Sequence, residues 1–115
     1  MGQRHVLALD LREDPELIRQ YRAWHRPGGP PSAVIEVLRA AGITEMEIFL
    51  AGNRLVMILL ACDDFSFEAL ARLNASNADI QAWEALMWKF QKALPWSENG
   101  EKWVVMDRIF ALSEQ

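Results

Sequence analysis

Met46 to Cys62 reads M-E-I-F-L-A-G-N-R-L-V-M-I-L-L-A-C, and this stretch decides the architecture. Met46–Ala51 and Arg54–Cys62 are strand-like runs separated by Gly52-Asn53. Those two residues accept the positive φ of a tight hairpin turn, so the runs pair antiparallel. The second run has no polar alternation. That pattern belongs to a central strand covered on both faces, not to an edge.

Upstream, Arg4–Leu11 (R-H-V-L-A-L-D-L) is a first strand, with Leu7, Leu9 and Leu11 on one face and Val6, Ala8 and Asp10 on the other. An Asp among small apolar side chains hints mildly at function, and a strand-end Asp near solvent gives the same pattern. Pro15–His25 (P-E-L-I-R-Q-Y-R-A-W-H) is a helix with Asp14 as N-cap and Pro15 at its first position. On a wheel of roughly 100° per residue, Trp24, Leu17, Tyr21, His25 and Ile18 share an arc of roughly 120°. Pro27-Gly28-Gly29-Pro30-Pro31 stops the helix, which puts His25 in its last turn, where the macrodipole favours a protonated imidazole. A second helix, Ser32–Ala41, carries Val34, Val37, Leu38 and Ala41 on one stripe, with Gly42 as its C′ residue.

Downstream, Asp63-Asp64 caps a short helix to Leu73, with Phe67, Leu70 and Leu73 inward. The longest helix runs from Ala78 to Leu94, where Pro95 stops it; Ile80, Trp83, Leu86, Met87, Phe90 and Leu94 form its stripe. Trp88 lies off that stripe beside Glu84 and Gln91, either as part of a binding surface or subunit interface or half-covered by a loop. Trp96–Lys102 is a loop containing Asn99-Gly100, and Trp103–Leu112 is a last strand interrupted by Asp107 and Arg108. The order β-α-α-β-β-α-α-β reduces to βαββαβ. This is an α+β, ferredoxin-like fold with a four-stranded antiparallel sheet and helices on one face. The other face still carries apolar side chains. A second copy, sheet against sheet, covers it, which predicts a symmetric homodimer forming a dimeric α+β barrel.

Composition removes several function classes. A chain of 115 residues supports a single domain, 1–115, with a core that needs no staples. The net charge of −4 and the scattered Lys and Arg argue against nucleic acid or an anionic membrane surface. The longest apolar run, Leu55–Cys62, is too short to span a bilayer. Two histidines without H-x-x-x-H spacing, and one cysteine, give no metal-ligand set. A lone Gly28-Gly29 pair makes no phosphate loop. The single Cys62 and an N-terminus without a signal core point to the cytoplasm.

One place stands out chemically. Tyr21 and His25 stack at i, i+4 on the buried-leaning arc of their helix. A His there is either a hydrogen-bonded rim residue or an acid–base group, and the helix alone leaves both open.

The chain resembles the L-rhamnose mutarotase family over nearly its whole length. The most specific element is Y-x-x-x-H, here Tyr21-Arg22-Ala23-Trp24-His25. G-N-R-L (Gly52–Leu55), M-W-K-F-Q (Met87–Gln91) and the tail G-E-K-W-V-V-M-D-R-I-F (Gly100–Phe110) add to it. The W-E-A-L-M-W-K-F-Q run and the tail look closer to the branch associated with L-fucose. The resemblance implies a cofactor-free enzyme with no metal, acting on a monosaccharide, with the fold and dimer described above. It implies His25 as general acid and Tyr21 as a sugar ligand. A strand aromatic of the family falls here on Met46, which has no hydroxyl, and a Trp pair falls on Trp83 and Trp88. The family's W-P-E after the His is replaced by P-G-G-P-P-S, Pro27–Ser32.

The implied reaction interconverts the α and β anomers of a 6-deoxy-L-hexopyranose, L-fucose or L-rhamnose, by proton transfer at two oxygens. A group with a pKa near neutrality serves both directions, as His does. Asp10, Glu47, Glu84, Asp107, a water or the Tyr21 hydroxyl are candidates for the second proton-transfer partner. Two rival functions fit the same barrel: a non-enzymatic small-ligand-binding module, and a cofactor-free monooxygenase on an aromatic substrate.

Overall fold

The computed structural model describes residues 2–98 and 101–115. Its strands are β1 (Gln3–Leu11), β2 (Ile43–Ala51), β3 (Arg54–Ala61), β4 (Gln91–Lys92) and β5 (Val104–Val105). Its α-helices are α1 (Pro15–Trp24), α2 (Ser32–Ala40), α3 (Phe67–Ala75) and α4 (Ala78–Trp88). The Asn99-Gly100 turn expected from the sequence lies outside the described residues.

The hairpin forms as read. β2 and β3 pair antiparallel with Ala51 opposite Arg54, and Gly52 takes φ 60° in the turn. A bulge at Thr44 shifts the register between Ile43 and Glu45. β3 is also central: β1 pairs along its other edge from Gln3 opposite Ala61 to Asp10 opposite Arg54. The free edge of β1 takes β4 at Asp10–Leu11 and β5 at Leu7–Ala8. The spatial order is therefore β2-β3-β1-β4, with β5 beside β4 on β1, and every pairing is antiparallel. Two short strands together occupy the place of the fourth strand in a ferredoxin-like α+β sheet.

Local chemistry explains the helix ends. Asp14 accepts from the backbone N–H groups of Glu16 and Leu17, and Pro15 opens α1, as the sequence indicates. Gly42 follows α2 with φ +96°, a left-handed conformation that side chains rarely adopt. The cap of α3 differs from expectation: Ser66, not Asp63-Asp64, accepts from Ala69 N–H. Leu70 packs on the core as expected, Leu73 is exposed, and Phe67, 36% exposed, meets the buried Phe65 ring edge-on at 5.0 Å.

The larger correction concerns α4. It ends at Trp88, not at Leu94, so Pro95 is not its stop. Its end tightens into i→i−3 bonds, Lys89 N–H to Leu86 and Phe90 N–H to Met87. The chain then extends, Arg12 N–H bonds to the Phe90 carbonyl at 2.8 Å, and Gln91 pairs with Leu11. Phe90 and Leu94 are buried as the stripe required, but from a turn and a loop. The last strand is likewise shorter than Trp103–Leu112. Only Val104–Val105 pairs with β1, and Ile109, Phe110 and Leu112 are exposed, Ile109 at 94%.

The two sheet faces differ. The helix side holds Leu7, Leu55, Met57, Leu59 and Leu11 in two buried clusters; Ile48 and Trp103 pack against both. On the opposite face Val6, Val56 and Ile58 are half-buried, and Leu60 and Phe49 are exposed. Burial along β3 therefore alternates within one chain, although its composition does not. No helix among the described residues is long and apolar enough to cross a membrane.

Candidate active site

His25 occupies the C-cap of α1, one residue past the expected last turn, with φ −100°. Its Nδ1 lies 2.7 Å from the Tyr21 carbonyl oxygen. The carbonyl can only accept, so Nδ1 carries the proton and Nε2 is the free lone pair of the neutral ring. Among the described residues nothing hydrogen-bonds Nε2. Burial pushes the imidazole pKa below its ordinary value, partly opposed by the bond to the Tyr21 carbonyl. Burial thus favours the neutral ring, against the protonated form expected from the helix end alone.

Two aromatic rings pack against the imidazole, and a third extends the cluster. Tyr21 stacks tilted at 4.2 Å between centroids, and Trp83 of α4 meets it edge-on at 5.7 Å. Trp24 meets Trp83 edge-on at 5.9 Å. α1 supplies Tyr21, Trp24 and His25, and α4 supplies Trp83. The helical arc read from the sequence therefore becomes one wall of an aromatic cluster.

Tyr21 is buried among Leu11, Leu55, Met87 and Phe90, and is 4% exposed. Its hydroxyl accepts from Gln91 Nε2 at 3.2 Å. Burial raises the phenol pKa, and the Gln91 bond partly offsets this, so the group is a neutral phenol at neutral pH. Gln91 is 3% exposed, and its Oε1 has no partner. An orphan of this kind costs about 1–3 kcal/mol. Sequence reasoning missed Gln91. Read as helical it sits on a solvated shoulder; only the strand pairing with Leu11 turns it toward Tyr21.

The other anticipated residues lie apart from this cluster. Met46 sits opposite Leu59 and packs against the core cluster of Leu7, Met57, Leu59 and Phe65, not the one that holds Tyr21. Trp88 is 37% exposed, with Lys102 Nζ 5.0 Å from its ring centroid. That Lys102 is tied to Glu84 at 2.8 Å. Of the other carboxylates, Asp10 is 4% exposed and bonded to Arg54 at 2.8 and 3.1 Å. Asp10 and Glu47 project from the sheet face opposite the helices. Asp107 is exposed in the tail. None of the four carboxylates raised from the sequence is a contact of His25.

Outside His25 lies an open depression of about 770 Å³, bounded by Arg26, Pro27, Gly28, Pro30 and the first turns of α2. Gly28, at φ +82°, lines it, and at the adjacent Gly29 a Cβ would collide with the Trp24 carbonyl. The Pro27–Pro31 segment is therefore built for a close turn around the end of α1.

Comparison with known proteins places this arrangement. Residues 4–112 match the model of the L-rhamnose mutarotase family. An L-fucose mutarotase of Xanthomonas campestris pv. campestris is 53% identical over 112 residues, covering 97% of this chain and 90% of that protein. A UPF0734 protein of Dictyostelium discoideum is 36% identical over 115 residues, covering 94% and 88%. The crystal structure of an L-rhamnose mutarotase from Formosa agariphila superposes with a TM-score of 0.68, covering 96% and 98%; at 16% identity it speaks to the fold alone. The monooxygenase and binding-module readings give way to an isomerase: the chain belongs to the L-rhamnose mutarotase family.

Proposed function

We propose that the protein interconverts the α and β anomers of a 6-deoxy-L-hexopyranose, with L-fucose preferred over L-rhamnose and His25 as the proton-transfer group. The observation that supports this most is the state of the imidazole. It is half-buried, neutral, anchored through Nδ1, and free at Nε2. Such a group starts as a base. Nε2 takes the proton of the anomeric hydroxyl, the bond from C1 to the ring oxygen breaks, and C1 becomes an aldehyde. The ring oxygen takes up one proton, delivered by the imidazolium or by a second donor. Rotation about the C1–C2 bond and the reverse steps close the ring on the other face. One positioned acid–base group contributes roughly 10²–10⁴-fold. Tyr21 supplies a neutral hydroxyl and Trp83 an apolar wall for sugar C–H groups. Met46 and Trp88 complete the sugar contacts in the family-based reading.

The preference for L-fucose rests on the 53% identity to a protein named for that sugar. Saturation-transfer NMR on L-fucose and L-rhamnose tests both levels. Faster exchange of L-fucose supports the preference, faster exchange of L-rhamnose removes it, and acceleration of neither sugar removes the mutarotase reading.

We also infer a symmetric homodimer in the cytoplasm. Val6, Val56, Ile58, Leu60 and Phe49 form an apolar sheet face that no helix among the described residues covers. A second copy of the same face is its self-complementary cover.

A further inference from the structure

We propose that Gln91 is a positioning residue of this site: it fixes the Tyr21 hydroxyl as a hydrogen-bond donor toward the bound sugar. The inference rests on the sugar reading above and assigns a role to a residue that reading leaves unused.

Three observations carry it. First, the contact is directional and rigidly mounted. Gln91 pairs with Leu11 through the backbone, and its neighbour Phe90 accepts from Arg12 N–H, so the carboxamide projects from a fixed strand. Its Nε2 donates to the Tyr21 oxygen. A phenol that accepts from an amide turns its own proton away from that amide, toward another acceptor. Sugar oxygens are such acceptors, and the phenol stacks against the imidazole that carries the chemistry.

Second, stability alone does not call for this residue. Gln91 is buried with an unpaired Oε1. A methionine would fill similar space and remove the orphaned Oε1, losing only the donor to the Tyr21 hydroxyl. Removing both partners, as Gln91→Met with Tyr21→Phe does, is close to neutral or stabilising. The contact with Tyr21 is what the carboxamide adds.

Third, the bond joins positions 70 residues apart at the meeting point of α1 and β4. It therefore sets the phenol against both elements, not merely within its own helix.

The test uses Gln91→Met and Gln91→Glu in the full chain, with wild type alongside. Three quantities are read: thermal midpoint, kcat and KM of anomer exchange, and the ¹³C resonance of the tyrosine ring carbon bearing the hydroxyl. The chain has one tyrosine, so this resonance is single and assigned without ambiguity. The expected result is a folded Gln91→Met protein with a thermal midpoint close to that of wild type, the lost donor to Tyr21 being offset by removal of the unpaired Oε1, and with a shifted tyrosine resonance. Its kcat/KM falls about tenfold or more, mostly in kcat. Gln91→Glu, which keeps the size but loses the donor, falls likewise. Three results overturn the assignment alone: an active wild type with unchanged Gln91→Met kinetics, an unmoved tyrosine resonance in Gln91→Met, or full activity in Gln91→Glu. A rate loss that only tracks a lowered thermal midpoint also overturns it, because that is a structural role. A wild type that accelerates neither sugar overturns the mutarotase reading, and this inference with it.

Discussion

His25 Nδ1 donates to the carbonyl oxygen of Tyr21, one helical turn earlier, at 2.7 Å. A single bond thus satisfies a carbonyl at the open end of α1 and selects the tautomer that leaves Nε2 free. Because burial lowers the His25 pKa, the neutral base predominates at pH 7. Activity should be flat around neutrality and fall on acidification below the ordinary histidine value of about 6.5. A pH profile of kcat/KM checks this.

The same shift has a stability consequence. The unfolded chain binds a proton near the ordinary value, and the folded chain only at lower pH. The contribution is complete above the unfolded pKa and is lost as pH falls through the folded one. Urea titrations from about pH 7.5 to 5 should show wild type losing more stability than His25→Gln. His5 is common to both proteins, so the difference isolates His25.

Tyr21→Phe removes the oxygen that Gln91 Nε2 donates to and leaves both ends of a buried carboxamide unpaired. The expected loss is about 1–3 kcal/mol. Adding Gln91→Met should recover most of it, since no orphan then remains. A double-mutant cycle by chemical denaturation measures the coupling, and strict additivity of the two changes would contradict the contact.

Gly28 and Gly29 separate two kinds of constraint beside the site. At Gly28 a Cβ meets nothing, and only the φ of +82° resists it. Gly28→Ala should cost about 1–2 kcal/mol and leave activity intact. At Gly29 a Cβ runs into the Trp24 carbonyl, next to the end of α1 that positions His25. Gly29→Ala should lower both stability and kcat, as thermal melts and exchange kinetics can show.

Phe49 is 52% exposed on the sheet face that lacks helices, and Ile58 lies half-buried on the same face. A charge there is harmless in a monomer and disruptive in a sheet-against-sheet dimer. Ile58→Glu and Phe49→Glu should halve the mass measured by light scattering. A wild-type mass of one chain would remove the dimer.

Much of this architecture was legible because its signals are local. Asp14-Pro15 starts α1, Gly42 ends α2, Gly52-Asn53 turns the hairpin, and each acts within a few residues of its own position. The helical arc likewise brought Tyr21 and His25 together correctly. The end of α4 was not legible. Phe90 and Leu94 have helical spacing to Met87, so periodicity extends the helix; the backbone of Leu11 and Arg12, nearly 80 residues away, takes the Phe90 carbonyl and draws Gln91 into a strand. The tail fails for a related reason. Trp103–Leu112 has strand composition, but within one chain only Val104–Val105 pairs with β1. Gln91 escaped notice because it lies on a strand and its partner is a phenol on α1, a relation that no window of sequence contains.

The most direct test of the account is anomer exchange of L-fucose and L-rhamnose by saturation-transfer NMR, with wild type and His25→Ala side by side. The account predicts acceleration by wild type and a loss of roughly 10²–10⁴-fold in the variant, with the fold retained. A folded His25→Ala protein that exchanges the anomers as fast as wild type would contradict it.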